Sequence, residues 1–383
     1  MSPLYFDYAA ATPLDPRVLA AMQPFFSDDF YNPSAQYQAA KNVRAALEDA
    51  RAGVAHHMGA KPSEIIFTAG GTEADNLAIH GVMRQFPDSN LVVSAVEHEA
   101  VLEPAKLYPH RILPVKSDGQ VDTAKLEELI DGRTVLVSVM LANNEIGTIQ
   151  PLREVLAVLQ KIRRKRSKQD NDLPLYLHTD ACQAAAYLDL HVARLGVDLM
   201  TINAGKIYGP KQCGALYVRS AVRLKPLIDG GGQERGLRNG TENVANFVGL
   251  AKALELAQGR KDDETRRLAT LQKLFYKLLE EKIPAAVVNG SKDKRLVNNV
   301  HFTVPGQDNE RLLYALAEKG VQCATGSACS AASTEPSHVL KAIGFSNEAA
   351  RSSLRFTFGM GTTEEGIRSA VDALAGVLER PSK

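Results

Sequence analysis

The sequence predicts an α/β protein in which a large, mostly parallel sheet is buried between helices and a smaller α+β unit follows. Three observations predict it. Short β-branched runs alternate with amphipathic stretches through the first two thirds of the chain, as they do when helices cross between parallel strands. These runs are almost continuously apolar, as strands covered on both faces are. From about Gly249 the style changes, and a long helical stripe replaces the alternation.

In chain order, strands are expected at residues 65–68, 91–96, 135–141, 175–179, 199–203 and 215–218. Between the third and fourth, Leu152, Val155, Leu156, Leu159 and Ile162 recur at helical spacing and mark one buried face. A longer helix is expected from near Asp262 to Lys282, with Leu268, Leu271, Leu274, Phe275, Leu278 and Leu279 turned inward. This reading divides the chain into a large domain at residues 15–250 and a small domain at 251–383, completed by the N-terminal segment 1–14.

Composition sets the outer bounds. The 383 residues are 45% hydrophobic and 23% charged with a formal net charge of +1, ordinary values for a globular protein with no general pull toward nucleic acid or anionic membrane. The longest apolar stretches, such as residues 134–142, fall well short of the roughly 20 residues a membrane helix needs. The N-terminus lacks a basic region followed by an apolar block, so a secretory signal is not expected and the cytoplasm is. Four cysteines make no disulfide framework, and no Cys/His cluster has metal spacing. The adjacent pair His56 and His57 projects in different directions from a helix. The basic run Arg163, Arg164, Lys165, Arg166 and Lys168 reads as a solvated helix C-terminus, with docking of an acidic partner as the alternative.

Several residues carry chemistry. Lys206 directly follows an apolar strand in Asn203-Ala204-Gly205-Lys206; a desolvated lysine there could bond an aldehyde covalently, or it could be a surface lysine at a strand end. Asp180, at the end of another strand, could hold a ring nitrogen protonated or cap a helix. Gln183 lies three residues on. Thr68-Ala69-Gly70-Gly71-Thr72 runs strand, glycine turn, helix, which is a geometry that receives a phosphate. Cys329 sits in a run of small residues, Ala324-Thr325-Gly326-Ser327-Ala328-Cys329-Ser330, with no apolar anchor to bury it. An exposed thiolate of that kind is a nucleophile. Cys182, Cys213 and Cys323 read as structural.

The ordered segments FTAGGTEADNLAI, VEHEAVLEP, ANNEIGTIQP, HTDACQAAA, KIYGPK, GGGQERGLRNGTENV, TGSACSAASTEPSHVL and SSLRFTFG resemble the cysteine desulfurases of the NifS/IscS-like group, from about Tyr5 to Glu365. The resemblance implies the fold type I architecture of the enzymes that use pyridoxal 5'-phosphate (PLP), similar to aspartate aminotransferase, and a homodimer with active sites at the subunit interface. By motif, it makes Lys206 the cofactor-bonding lysine, Asp180 the partner of the pyridine nitrogen and Gln183 that of the ring hydroxyl. His98 would stack on the ring and serve acid–base steps, and Asn144 would sit beside the cofactor. Gly71 and Thr72 would hold the phosphate, with Thr241 reaching it from the partner subunit. Asn32 and Arg355 would clamp the substrate carboxylate, and Cys329 would take the sulfur.

The function so implied is conversion of L-cysteine to L-alanine with sulfur carried as a persulfide on Cys329. An acceptor protein would then use it for iron–sulfur cluster assembly or tRNA thiolation. Selenocysteine lyase, another PLP β-lyase or an aminotransferase would need Lys206 but no loop thiol. A non-catalytic scaffold would tolerate loss of Lys206, Asp180 or Cys329, and all three are present. One departure stands out: the family usually reads Ser-x-His-Lys where this chain has Asn203-Ala204-Gly205-Lys206. Asn203 can still donate to a phosphate, but Gly205 cannot replace an imidazole, so weaker cofactor retention is expected.

Overall fold

A computed structural model describes residues 3–326 and 336–379. Its strands form three sheets among the described residues. Leu4–Tyr5 (β1) leads the chain. The large sheet takes Ile65–Thr68 (β2), Asn90–Ser94 (β3), His110–Leu113 (β4), Thr134–Ser138 (β5), Tyr176–Asp180 (β6), Leu199–Asn203 (β7) and Gly214–Val218 (β8). Val287–Val288 (β9), Asn299–Thr303 (β10), Val321–Gln322 (β11) and Ser353–Thr357 (β12) complete the set.

The seven-stranded sheet runs β2-β8-β7-β6-β5-β3-β4. Strands β7, β6, β5, β3 and β4 are parallel neighbours, and β8 is antiparallel to both β7 and β2. Two reversals bring β2 back into the direction of the parallel strands. Thr68, Asp180 and Asn203 therefore end their strands along one edge of the sheet, where open α/β sheets bind ligands. All five residues of β3, β5, β6 and β8 are buried, because helices cover both faces.

The mixed α/β class and the mostly parallel sheet are as expected, with three differences in detail. Strand β4 was not foreseen: it is a four-residue edge strand with one buried residue, too polar to signal itself by apolar content. The run expected at 135–141 leaves the strand after Ser138, although Val139, Met140, Leu141 and Ala142 stay buried. The long helix begins at Val244, not near Asp262, and runs unbroken to Lys282, so the proposed division at 250/251 falls inside it. The change of style near Gly249 is not a helix end: a Cβ there would stand 2.6 Å from Met22 Sδ. The glycine lets two helices approach closely rather than ending one.

The C-terminal half of that helix packs Phe275 against Phe302 of β10, Phe356 of β12 and Phe358, with ring centroids 5.1–6.1 Å apart. These aromatic rings form the core behind the three-stranded antiparallel sheet β12-β10-β9. β1 pairs in parallel with β11, which fixes the N-terminal segment that follows it beside this sheet.

The basic run also differs from expectation. Arg164, Lys165 and Lys168 are exposed, but Arg166 is buried. Its guanidinium donates to the carbonyls of Asp131, Thr134, Leu173 and Pro174, and Arg163 pairs with buried Asp198 at 2.6 Å. Two of the five cations thus turn inward, tying the helix Leu152–Ser167 to the loop after it, to the start of β5 and to Asp198.

Candidate active site

The cavity at the sheet edge is assembled by register. Gly214, which opens β8, is paired with Thr68 on one side and with Asn203 on the other. A Cβ at Gly214 would lie 2.7 Å from both Gly70 C and Ile202 O, so glycine is what lets the three chains converge. The helix Gly71–Gln85 then starts against Asn203, whose Nδ2 would be 3.4 Å from a Cβ at Gly71. Its N-cap, Gly70, supplies no side-chain cap. The positive end of a 15-residue helix thus faces the cavity with room for an anion.

The cavity encloses about 140 Å³. Gly71, Thr72, His98, Asn144 and Asp180 line it together with Gln183, Asn203, Lys206 and Arg355. Nine residues chosen from six separate sequence segments meet there. Two others do not: Asn32 and Thr241 line a separate cavity of about 210 Å³. Both are exposed, and Asn32, expected to clamp a carboxylate with Arg355, does not line the Arg355 cavity of its own chain. Cys329 lies outside the described residues.

Each side chain is held locally. Lys206 Nζ donates to Ala9 O at 2.8 Å and Ala10 O at 2.6 Å. Gln183 Nε2 donates to the same Ala9 O at 3.0 Å. Asp180 accepts the Cys182 N–H at 2.8 Å, so its backbone-capping role and its place in the cavity coexist. His98 caps the helix Glu99–Ala105 by accepting the Ala100 N–H at Nδ1, which leaves the proton of the neutral ring on Nε2. Asn203 Oδ1 accepts from Gly205 N at 2.9 Å, keeping its amide nitrogen turned toward Gly71. A helix terminus for an anion, a lysine for a carbonyl and a carboxylate for a cationic ring nitrogen are chemically matched to one compact, anionic, aldehyde-bearing ring.

The sequence reading missed several neighbours. Cys182 reads as structural, but its buried thiol lines the cavity. Burial, followed by the charges of Asp180 and Asp75, drives its pKa well up, so it stays a thiol. Asp75 also lines the cavity, and burial and then Asp180 raise its pKa well above the usual carboxylate value. A helical offset of three residues from Thr72 was the available signal. His178, behind Asp180, is pushed down to about 4 by burial and is therefore neutral. It bonds Ser138 Oγ at 2.8 Å and Thr201 Oγ1 at 3.2 Å.

Glu97 is fully buried beside His98, and burial lifts its pKa from 4.5 to about 7. The unfolded chain ionises this group from about pH 4.5 and the folded chain only near pH 7. The stability contributed by the neutral acid is therefore complete below that window and is lost as pH rises through it. Glu97→Gln keeps an oxygen for Ser94 Oγ and Met140 N. It is expected to stabilise the protein by ~2 kcal/mol near pH 8 and by nothing near pH 4, read from urea midpoints. A variant less stable than wild type near pH 8 would contradict this account of Glu97.

The model of the aminotransferase class-V family matches residues 4–369. A protein of Dictyoglomus turgidum named cysteine desulfurase IscS is 43% identical over 384 residues, covering 98% of this chain and 95% of that protein. A solved NifS-like protein superposes with a TM-score of 0.90 at 31% identity, over 98% of this chain and 99% of that one. A structure titled SspA in complex with cysteine gives 0.79 at 35% identity, over 92% and 98%.

Proposed function

This chain belongs to the aminotransferase class-V family, and on that premise we propose that it is a PLP-dependent cysteine desulfurase. It releases L-alanine from L-cysteine and retains the sulfur as a persulfide on Cys329. The observation that carries the reading is the convergence of Lys206, Asp180 and an uncapped helix N-terminus on one cavity, in a chain that also places a cysteine in a small-residue loop.

The residues present fit PLP. Gly71 and Thr72 would hold its phosphate at the helix N-terminus, Lys206 its aldehyde, Asp180 its pyridine nitrogen and Gln183 its ring hydroxyl. When bound, PLP supplies an electron sink that makes the substrate Cα proton acidic and weakens the Cβ–S bond. Arg355 orients L-cysteine by its carboxylate, since a guanidinium fork matches that group. Lys206 takes and returns the Cα proton, and His98 exchanges protons from Nε2. The Cys329 thiolate attacks the substrate sulfur: an S–S bond forms, the Cβ–S bond breaks, and its electron pair stays on Cβ, which takes a proton carried by His98 or Lys206 and becomes the methyl group of alanine. Cys182, raised in pKa and buried, is not a competing nucleophile.

A homodimer would bring Thr241 of each subunit within reach of the other's cavity; its separation from the cavity of its own chain supports that arrangement. The persulfide then passes to an acceptor protein for iron–sulfur assembly or tRNA thiolation. A cytoplasmic location is proposed for this chemistry, and no described helix is long and apolar enough to cross a membrane.

Alanine and sulfide release from L-cysteine, with PLP and a thiol reductant present, tests the activity. Equimolar products support the desulfurase. Pyruvate and ammonia in place of alanine would mark a β-lyase instead.

The Gly205 departure gives a further expectation. A Cβ at Gly205 would meet its nearest neighbour, Asn203 Oδ1, at 3.4 Å, and its φ is not positive, so a side chain can be accommodated. Gly205→His is expected to tighten PLP binding about tenfold, the effect of one hydrogen bond to a charged group. Titration of the apoprotein measures it, and unchanged or weaker binding would remove Gly205 as the cause of loose retention.

A further inference from the structure

Arg355 is held in a way that its proposed role does not require. It sits on β12 and is 1% exposed. Its Nη1 donates to Asn144 O at 2.9 Å, and its Nη2 donates to Asp7 Oδ1 at 2.7 Å. Its Nε has no partner among the described residues. Asp7 belongs to the segment after β1, and this same segment offers Ala9 O and Ala10 O to Lys206. Asp7 bridges to Thr357, two residues beyond Arg355 on the same strand, so its position relative to the guanidinium is fixed by backbone pairing.

A buried guanidinium without an anion is strongly unfavourable. Asp7 supplies that anion whenever the cavity holds no carboxylate ligand. A ligand carboxylate arriving at Arg355 therefore meets a cation already paired, and two anions on one guanidinium repel each other in a weakly screening site. Substrate and product carry the same α-carboxylate. An Arg355 with no resident partner would hold both more firmly, the product L-alanine included.

We propose that Asp7 is a positioning residue for the reaction, the resident counter-ion of Arg355, which competes with the ligand carboxylate and so weakens retention of the amino-acid product. The inference rests on the reading of Arg355 as the substrate-carboxylate clamp. Asp7 keeps the guanidinium aligned between substrate molecules and reclaims it as alanine leaves, so tight binding is exchanged for turnover.

The test uses the PLP-loaded protein and its Asp7→Asn variant. Equilibrium binding of L-alanine is read from the absorbance of the bound cofactor, alongside KM and kcat for L-cysteine. Ethylamine, which is L-alanine without the carboxyl group, serves as the control ligand. The expected result is about tenfold tighter L-alanine binding and a comparably lower KM, within the range of coupling between ligands that share a group, with ethylamine binding unchanged and kcat reduced. Unchanged or weaker L-alanine binding would overturn the proposal, as would equal tightening of ethylamine. Asp7→Glu keeps the charge and provides a second check should Asp7→Asn not fold. It should stay within about twofold of wild type, and marked tightening in it would count against the charge being responsible. Arg355→Lys separates the two levels: if it leaves L-alanine binding unchanged, the clamp reading itself fails, whatever Asp7 does.

Discussion

Replacing Cys329 with alanine is expected to lower alanine and sulfide release from L-cysteine by about 1000-fold or more, as loss of a covalent nucleophile does. The absorbance of bound PLP and the thermal stability should be unchanged, because that thiol is not among the groups proposed to hold the cofactor. The described residues on either side of that segment support so large an effect. On its N-terminal side, Ala324 exchanges backbone hydrogen bonds with Arg355 at 3.0 and 2.7 Å, on the cavity wall. On its C-terminal side, Ser337 Oγ donates to Glu145 Oε2 at 2.6 Å, and His338 Nε2 bonds Glu97 O at 2.9 Å. Glu145 and Glu97 are the sequence neighbours of the cavity residues Asn144 and His98. Both ends of the segment are thus fastened beside the cavity, and five residues beyond Ala324 can reach about 17 Å. Cys182→Ala is the matched control: it removes a cavity thiol that burial keeps protonated, and alanine release should survive it. Equal activity in wild type and Cys329→Ala would favour a lyase that expels sulfide directly.

Lys206→Ala is expected to be as damaging by a different route. The variant should lose the visible absorbance of covalently bound cofactor, and alanine formation should fall by about 1000-fold or more. Lys206 is the only lysine lining the cavity among the described residues, and its Nζ is already drawn to the site by Ala9 O and Ala10 O. Lys206→Arg keeps a cation for those carbonyls and so controls for folding. It should show native stability with no activity. Substantial turnover by either variant would move the covalent role elsewhere.

The fold class was legible because the central strands are unambiguous. Residues 65–68 and 199–203 match β2 and β7 at both ends, and a sheet buried on two faces leaves little room for other readings. What escaped were features whose cause is tertiary. Strand β4 is a polar edge strand, and Arg166 is buried because two carbonyls of the loop after its helix, Leu173 and Pro174, and two at the start of β5, Asp131 and Thr134, turn toward it. Gly249 marks a close helix approach that spacing alone cannot distinguish from a helix end. At the site, residues adjacent to strand ends or inside familiar motifs could be named from the sequence. Asp75 and Cys182 also lie inside those motifs, but their place on the cavity wall follows from how the helix Gly71–Gln85 lies across β6 and β7. The Asp7–Arg355 pair was equally hidden, because 348 residues separate its members.

The central claim is that sulfur leaves L-cysteine onto Cys329. It is tested most directly by mass spectrometry of the Cys329 peptide after the PLP-loaded protein is exposed to L-cysteine without reductant and then alkylated. The account predicts one added sulfur atom on Cys329, absent from Cys182, Cys213 and Cys323, with one alanine formed per modified site. Alanine or pyruvate formed while Cys329 remains an unmodified thiol would contradict it.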